Sequence, residues 1–229
     1  MSLSSITKIP GIMRANSWLN GAALMDKWFS GPPSTKPSYT TPDTSTLKMD
    51  KFVLTFDRAK SVFADMQSKK IWSSAKAISA VWPTRIPVIG YTTFDFTAKS
   101  AQQLHDLHVN FGKVGDGYGL DDLLAALGHF AIYVAPLTGQ IVRQGAQSKV
   151  TLNSVAYMVV DSYDFNGDQD LGYWSDSDNT ASAMPWFGRD KVENKSFRDW
   201  RTKNGRGGDF QVYSDVKTVT LNPPDSFVV

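Results

Sequence analysis

The sequence contains no cysteine. That absence removes disulfides, thiolate nucleophiles and cysteine-based zinc sites together, and it leaves the redox compartment undetermined. No apolar run approaches the length of a membrane span, so an integral membrane protein is not expected. The opening residues, MSLSSITKIPGIMRANSW, hold no sustained apolar segment and no secretory processing site. The expectation is therefore cytoplasmic synthesis, with any export following a route that uses no signal peptide. An excess of charge of either sign is also lacking, with 24 basic residues against 22 acidic ones. A net charge of +2 is far from the basic concentration of a dedicated nucleic-acid binder, and no nucleic-acid partner is expected.

What is present is apolar and aromatic. Of 229 residues, 41% are hydrophobic and 12% aromatic, with seven Trp and thirteen Phe, which is the composition of a folded chain with a substantial core. Residues 1–50 read as an amphipathic helix over 6–29, with a break near Asn20, followed by a strap over 30–50. That strap holds four prolines and many Ser and Thr, a composition expected to cross the surface without regular hydrogen bonding. Residues 51–128 read as mainly helical. One helix is expected over 57–81, capped by Asp57 and closed by Pro83. An extended piece follows over 85–96, then a helix over 97–111 carrying His105 and His108 on a shared side, and a short helix over 120–127. Residues 113–119, KVGDGYG, lack the features of a phosphate-binding loop and read as a turn.

Residues 129–229 read as rich in strands. Two strands are expected around a turn at 136–139, another over 149–160, and a further one over 210–221, with one short helix ended by Asn204-Gly205. Helices first and strands second give an α+β protein: a helical N-terminal part with a mostly antiparallel C-terminal β-sheet or open barrel.

Chemistry concentrates in one stretch, VAYMVVDSYDFNGDQDLGYW at 155–174. An apolar strand breaks there into Asp161, Tyr163, Asp164, Asp168 and Asp170 around an Asn166-Gly167 turn. The spacing fails as an EF-hand, because the first ligand would be Ser162 and the twelfth Tyr173. A looser site for a divalent cation (magnesium or calcium) would use Asp164, Asp168 and Asp170. Asp161 and Asp164 flank Tyr163 at the strand's end. One carboxylate can hold a cation while the other orients water, and an arginine such as Arg198 or Arg201 can neutralise phosphate oxygens. That set suits cleavage of a phosphoric ester better than acyl transfer, for which no Ser-His-Asp pattern is present. The same residues also read as ordinary turn formers whose aromatics pack.

Asp161-Ser-Tyr163-Asp164-Phe165-Asn166 resembles the D-x-Y-D-F-N start of the active-site signature of the colicin M family. Those bacteriocins cleave the lipid II peptidoglycan precursor with a divalent metal. The resemblance implies catalytic roles for Asp161, Tyr163 and Asp164. The family's signature continues to a His-Arg pair where this chain has Asp170 and Leu171, so a substitute has to come from His129, Arg189, Arg198 or Arg201. More broadly, IPGIMRANSWLNGAALMDKWFSGP, DSYDFNGDQDLGYWS and NKSFRDWRTKNGRGGDFQVYSDVK resemble an uncharacterised proteobacterial family often encoded beside type VI secretion genes. That resemblance implies a setting of interbacterial competition. The expected role is an antibacterial effector delivered to a target's periplasm, or a non-enzymatic immunity or adaptor protein. The implied partner is a type VI secretion component or a cognate effector or immunity protein, with residues 184–208 as the partner surface in the non-enzymatic case.

Overall fold

The computed structural model describes residues 4–115, 119–185 and 187–229; part of the turn expected over 113–119 lies outside them. A 3₁₀ turn, Ile6–Lys8, leads into α1 (Ile9–Ala15). The break anticipated near Asn20 falls at residues 16–18, where Ser17 takes φ of 62°, and α2 (Leu19–Ser30) follows. The strap is not irregular. It forms β1 (Ser34–Asp43), whose partner is a parallel strand near the chain's end. Prolines 37 and 42 are tolerated because β1 is the outermost strand of its sheet.

In α3 (Asp57–Ser68) the cap position belongs to Phe56, one residue before the expected Asp57. The helix does not run on to residue 81. A 3₁₀ turn, Ile71–Ser73, and a π-helical stretch, Ala77–Val81, carry the chain into α4 (Trp82–Ile89). Pro83 opens α4 instead of closing what precedes it, since a proline in the first turn lacks only an N–H that would go unbonded. The extended piece expected over 85–96 shrinks to β2 (Thr93–Asp95). The helix expected over 97–111 is the short α5 (Ala101–His105), set by a Ser100–Gln103 capping box, and then β3 (Asn110–Val114).

Next, α6 (Asp122–Leu127) is capped by Asp121, whose side chain accepts the Leu124 N–H at 2.8 Å. The two strands expected around residues 136–139 are one, β4 (Phe130–Gln144), because register shifts between Pro136 and Gly139 absorb the turn residues. The strand expected over 149–160 is β5 (Gln147–Tyr163). Then come β6 (Asp170–Ser175), β7 (Thr180–Ser182), β8 (Asp190–Glu193) and α7 (Asn194–Asn204). Gly205 ends α7 in the left-handed region, φ 62°. The single strand expected over 210–221 is two, β9 (Gly208–Tyr213) and β10 (Lys217–Val228). The fold class is α+β. No helix among the described residues is long and apolar enough to cross a membrane.

The chain forms two compact units: residues 1–47, 115–129 and 161–212 make one, and 48–114, 130–160 and 213–229 the other. Each draws on all three of the segments 1–50, 51–128 and 129–229. In the second unit, β5 lies between β4 and β10 in antiparallel register, and β4 pairs β2 and β3 along its other edge. Val155 to Val159 are all buried, as expected of a strand covered on both faces. His105 and His108 stack at 4.9 Å, with Tyr133 edge-on to both.

In the first unit, β1 and β9 run parallel, and β7-β6-β8 form a small antiparallel sheet. Helix α2 has no cap from its own sequence. Its N-terminus is held by Asp122 of α6, which accepts from the Asn20 and Gly21 amides at 3.1 and 2.7 Å, a carboxylate placed at the helix's positive end. Gly21 permits the approach: a Cβ there would lie 2.7 Å from the Ala125 Cβ. We expect Gly21→Ala to lower stability by about 1–3 kcal/mol through overpacking, read as a lower midpoint in urea.

Candidate functional site

The acid-bearing corner forms where β5 runs out of its apolar sequence. Asp161, Ser162 and Tyr163 are its last residues, and Gln211 of β9 donates to the Ser162 hydroxyl at 2.6 Å. The chain then turns because Asp164 Oδ1 accepts the Asn166 N–H at 3.0 Å and Gly167 takes φ of 71°.

Helix α7 braces that turn. Asn194 donates its side-chain amide to the Asn166 carbonyl at 2.7 Å and its backbone N–H to the Gln169 carbonyl at 3.0 Å. Arg198 donates to the carbonyls of Phe165, at 2.9 Å, and Gly167, and to Asp168 Oδ1 at 3.2 Å. Phe165 lies flat on Phe197, 3.8 Å between centroids, and edge-on to Trp28 at 4.9 Å. Asp209 joins these pieces: its carboxylate accepts from the Trp28 indole at 2.9 Å, from Asn166 Nδ2 at 3.4 Å and from Arg201.

The braced corner faces a cavity of about 780 Å³ that lies within the first unit. Asp161, Asp164 and His129 share its wall with Asn166, Asp170 and Asn194. Ser162 and Gln169 also face it, and most of the rest of the wall is apolar and aromatic. Met13, Met25, Leu120 and Leu124 contribute, along with Trp18 and Trp174, whose rings meet edge-on at 6.0 Å. Carboxylates, an imidazole and an aromatic wall around one concavity are the ingredients of a reaction chamber.

Its electrostatics are uneven. Burial pushes the Asp161 carboxyl up from 3.8 to about 8, with the negative charge of Asp164 adding to the rise and the Ser162 amide opposing it. Among the described residues, no cation contributes to this shift. At neutral pH it is therefore mostly a neutral, proton-bearing acid, with the Asp164 carboxylate as its charged neighbour.

The residues singled out from sequence divide accordingly. Asp161, Tyr163 and Asp164 all line the cavity. Tyr163 is packed as well, stacked on Phe210 at 5.4 Å, and burial pushes its hydroxyl far above the usual range, so it keeps its proton. Arg198 and Arg201 do not line the cavity. Arg198 is engaged by the turn's carbonyls, and Arg201 is buried against Asp209 and the Trp28 ring, 5.1 Å away. Among the proposed metal ligands, Asp168 pairs with Arg198 and Asp170 with Lys191, at 2.8 Å. No group of three or more His, Asp or Glu side chains placed to hold a metal ion occurs among the described residues. Asp168 and Asp170 are thus engaged by Arg198 and Lys191, and Asp164 by the Asn166 amide of its own turn.

Some of the site was missed in the sequence. Asp209 gave no local signal, because its indole partner lies 181 residues away. Trp18 and Met25 read as one face of a helix packed on the body of the fold, yet both line the cavity.

Residues 4–185 and 188–229 match the family of unknown function DUF6402, and the chain belongs to that family. No curated protein and no solved structure matches it.

Proposed function

We propose that this member of a family of unknown function is a type VI secretion-associated antibacterial effector whose first unit hydrolyses a phosphoric ester of the cell envelope, with lipid II as the leading candidate. The observation that carries the hydrolytic part is the placing of Asp161, Asp164 and His129 in the wall of one cavity. An acid, a carboxylate and an imidazole around a concavity can share the proton transfers that ester cleavage requires. His129, in the same wall, is our candidate to stand in for the histidine of the colicin M signature. The secretion setting and delivery to a target periplasm rest on sequence resemblance alone. A divalent cation enters only as a component to titrate into the assay, and no step here is routed through one.

The test is to mix purified protein with lipid II, with and without magnesium or calcium. The expected result is release of the pyrophosphorylated head group; substrate left intact in every condition removes the reading. Asp164→Ala should also abolish killing when the protein is directed to the periplasm of a susceptible cell. A non-enzymatic immunity or adaptor role is favoured by one feature: Met184 and Phe187 stand exposed at 75% and 103% within the proposed partner surface, residues 184–208. Co-purification with a neighbouring gene's product, together with no toxicity on expression, would establish that role instead.

A further inference from the structure

The cavity of the first unit is lined by acids without matching bases. Asp161, Asp164 and Asp170 stand in its wall, and among the described residues that line it there is no lysine and no arginine. The cations of the neighbouring elements are committed. Arg198 is held by the carbonyls of Phe165 and Gly167, Arg201 by Asp209, and Lys191 by Asp170 and Glu193 at 2.8 and 2.6 Å. Asp170 is thereby answered, and Asp164 is not. One oxygen of Asp164 accepts the Asn166 amide at 3.0 Å, and the other accepts no hydrogen bond among the described residues.

A second observation does not depend on the acids. Trp18 is half-buried in the same wall and meets Trp174 edge-on, at 89°. Trp174 is buried, and its indole N–H is fixed to the Leu171 carbonyl at 2.8 Å, so the ring that Trp18 leans on is itself held. An indole attracts a cation over its face, most strongly where water is excluded. Met13, Met25 and Leu124 supply wall that suits hydrocarbon.

We infer that this cavity binds an organic cation, a primary ammonium group on an aliphatic body, with Asp164 as its counter-ion and Trp18 beside it. A cleft lined by charge of one sign and bounded by low-dielectric walls concentrates ions of the other sign. The carbon body of such a ligand is covered by the apolar wall, and the 780 Å³ of space is ample for it. A primary ammonium has three N–H donors to offer an open carboxylate oxygen, and a quaternary one has none. The inference goes beyond the hydrolytic reading, because binding needs no turnover. Joined to that reading, it selects phosphoric esters that carry an ammonium group of their own.

The experiment titrates octylammonium, octyltrimethylammonium, octanol and octanoate into the full chain by calorimetry, at neutral pH and about 0.15 M salt. Octylammonium should bind at a single site, about tenfold or more tighter than octanol and octanoate, with the trimethyl form weaker. Asp164→Asn keeps an oxygen for the Asn166 N–H and so preserves the turn. It should weaken octylammonium by about tenfold or more and octanol by less than about threefold. Trp18→Leu, which keeps apolar bulk and removes the ring, should weaken octylammonium by about threefold or more. Near-ultraviolet circular dichroism checks that both variants are folded, and the ligand series on the wild type needs neither. Octanol, octanoate or the trimethyl form binding as tightly as octylammonium would overturn the inference. So would no binding of octylammonium, or binding that both variants leave unchanged. Each of these results leaves hydrolysis of lipid II standing. Lipid II left intact by a chain that binds octylammonium would instead remove the hydrolytic reading alone.

Discussion

Arg201→Met will destabilise the protein by about 3–5 kcal/mol at neutral pH, the cost of leaving one member of a buried ion pair without the other. The Arg201 and Asp209 side chains are 7% and 0% exposed, so water cannot replace the lost guanidinium. Burial already pushes the Asp209 carboxyl up, against the pull of the Trp28 indole and Arg201. In the variant it should rise further, and the loss should shrink toward acidic pH as the carboxyl takes a proton. The double variant Arg201→Met/Asp209→Asn should recover much of the loss, since an amide still accepts from the Trp28 indole and carries no charge. Two guanidinium nitrogens of Arg201, Nε and Nη1, are buried with no hydrogen-bond partner among the described residues, which further limits what the pair contributes over neutral packing. Urea midpoints of the wild type, both single variants and the double variant measure this directly. Equal losses in the single and the double variant would show that the charge pair is not the cause. Asp209 also holds Asn166, so the turn carrying Asp164 should loosen in the same variant.

The second large effect is on pH dependence. A carboxyl raised to about 8 in the folded chain holds its proton while the unfolded chain has already released it. Below pH of about 4 both states are protonated and the stability associated with that difference is fully present. As pH climbs from there to about 8 it is lost progressively, and above the folded value the loss is complete. A shift of this size corresponds to about 6 kcal/mol over the whole range, of which about 4 kcal/mol falls above pH 5. Asp161→Asn mimics the neutral form at every pH. The gap between variant and wild type should therefore widen by about 4 kcal/mol in the variant's favour between pH 5 and 9, as measured by urea unfolding at each pH. Parallel curves would mean that Asp161 titrates alike in both states.

How legible the molecule was depends on where each constraint lies. Strand β5 and its acidic end were plain, because an apolar run that stops at several carboxylates is a local pattern. The same holds for α7, whose Asn204-Gly205 ending fixes a left-handed cap. Strand β1 was hidden: prolines and hydroxyl residues disguise a strand whose partner, β9, begins 174 positions later at its register start, Ser34 against Gly208. In α4 the two prolines looked like breakers, yet Pro83 falls in the first turn, where no hydrogen bond is lost. Residues 97–111 carried helical spacing, but a capping box starts only five residues of helix before the chain extends as β3. In the site, the acids of the 161–170 stretch were visible and their differing surroundings were not. Nothing near Asp161 in sequence indicates that, among the described residues, no cation contributes to its shift, or that Arg198 and Arg201 are engaged elsewhere. Those are results of packing between distant segments.

The most direct test of the account is a carbon-13 NMR titration of the Asp161 side-chain carboxyl, assigned by its absence in Asp161→Asn. The account predicts a midpoint near 8, so that the group still carries its proton at pH 7. A midpoint near 4, the ordinary carboxylate value, would contradict it, because an ionised Asp161 has no proton to give to a leaving group.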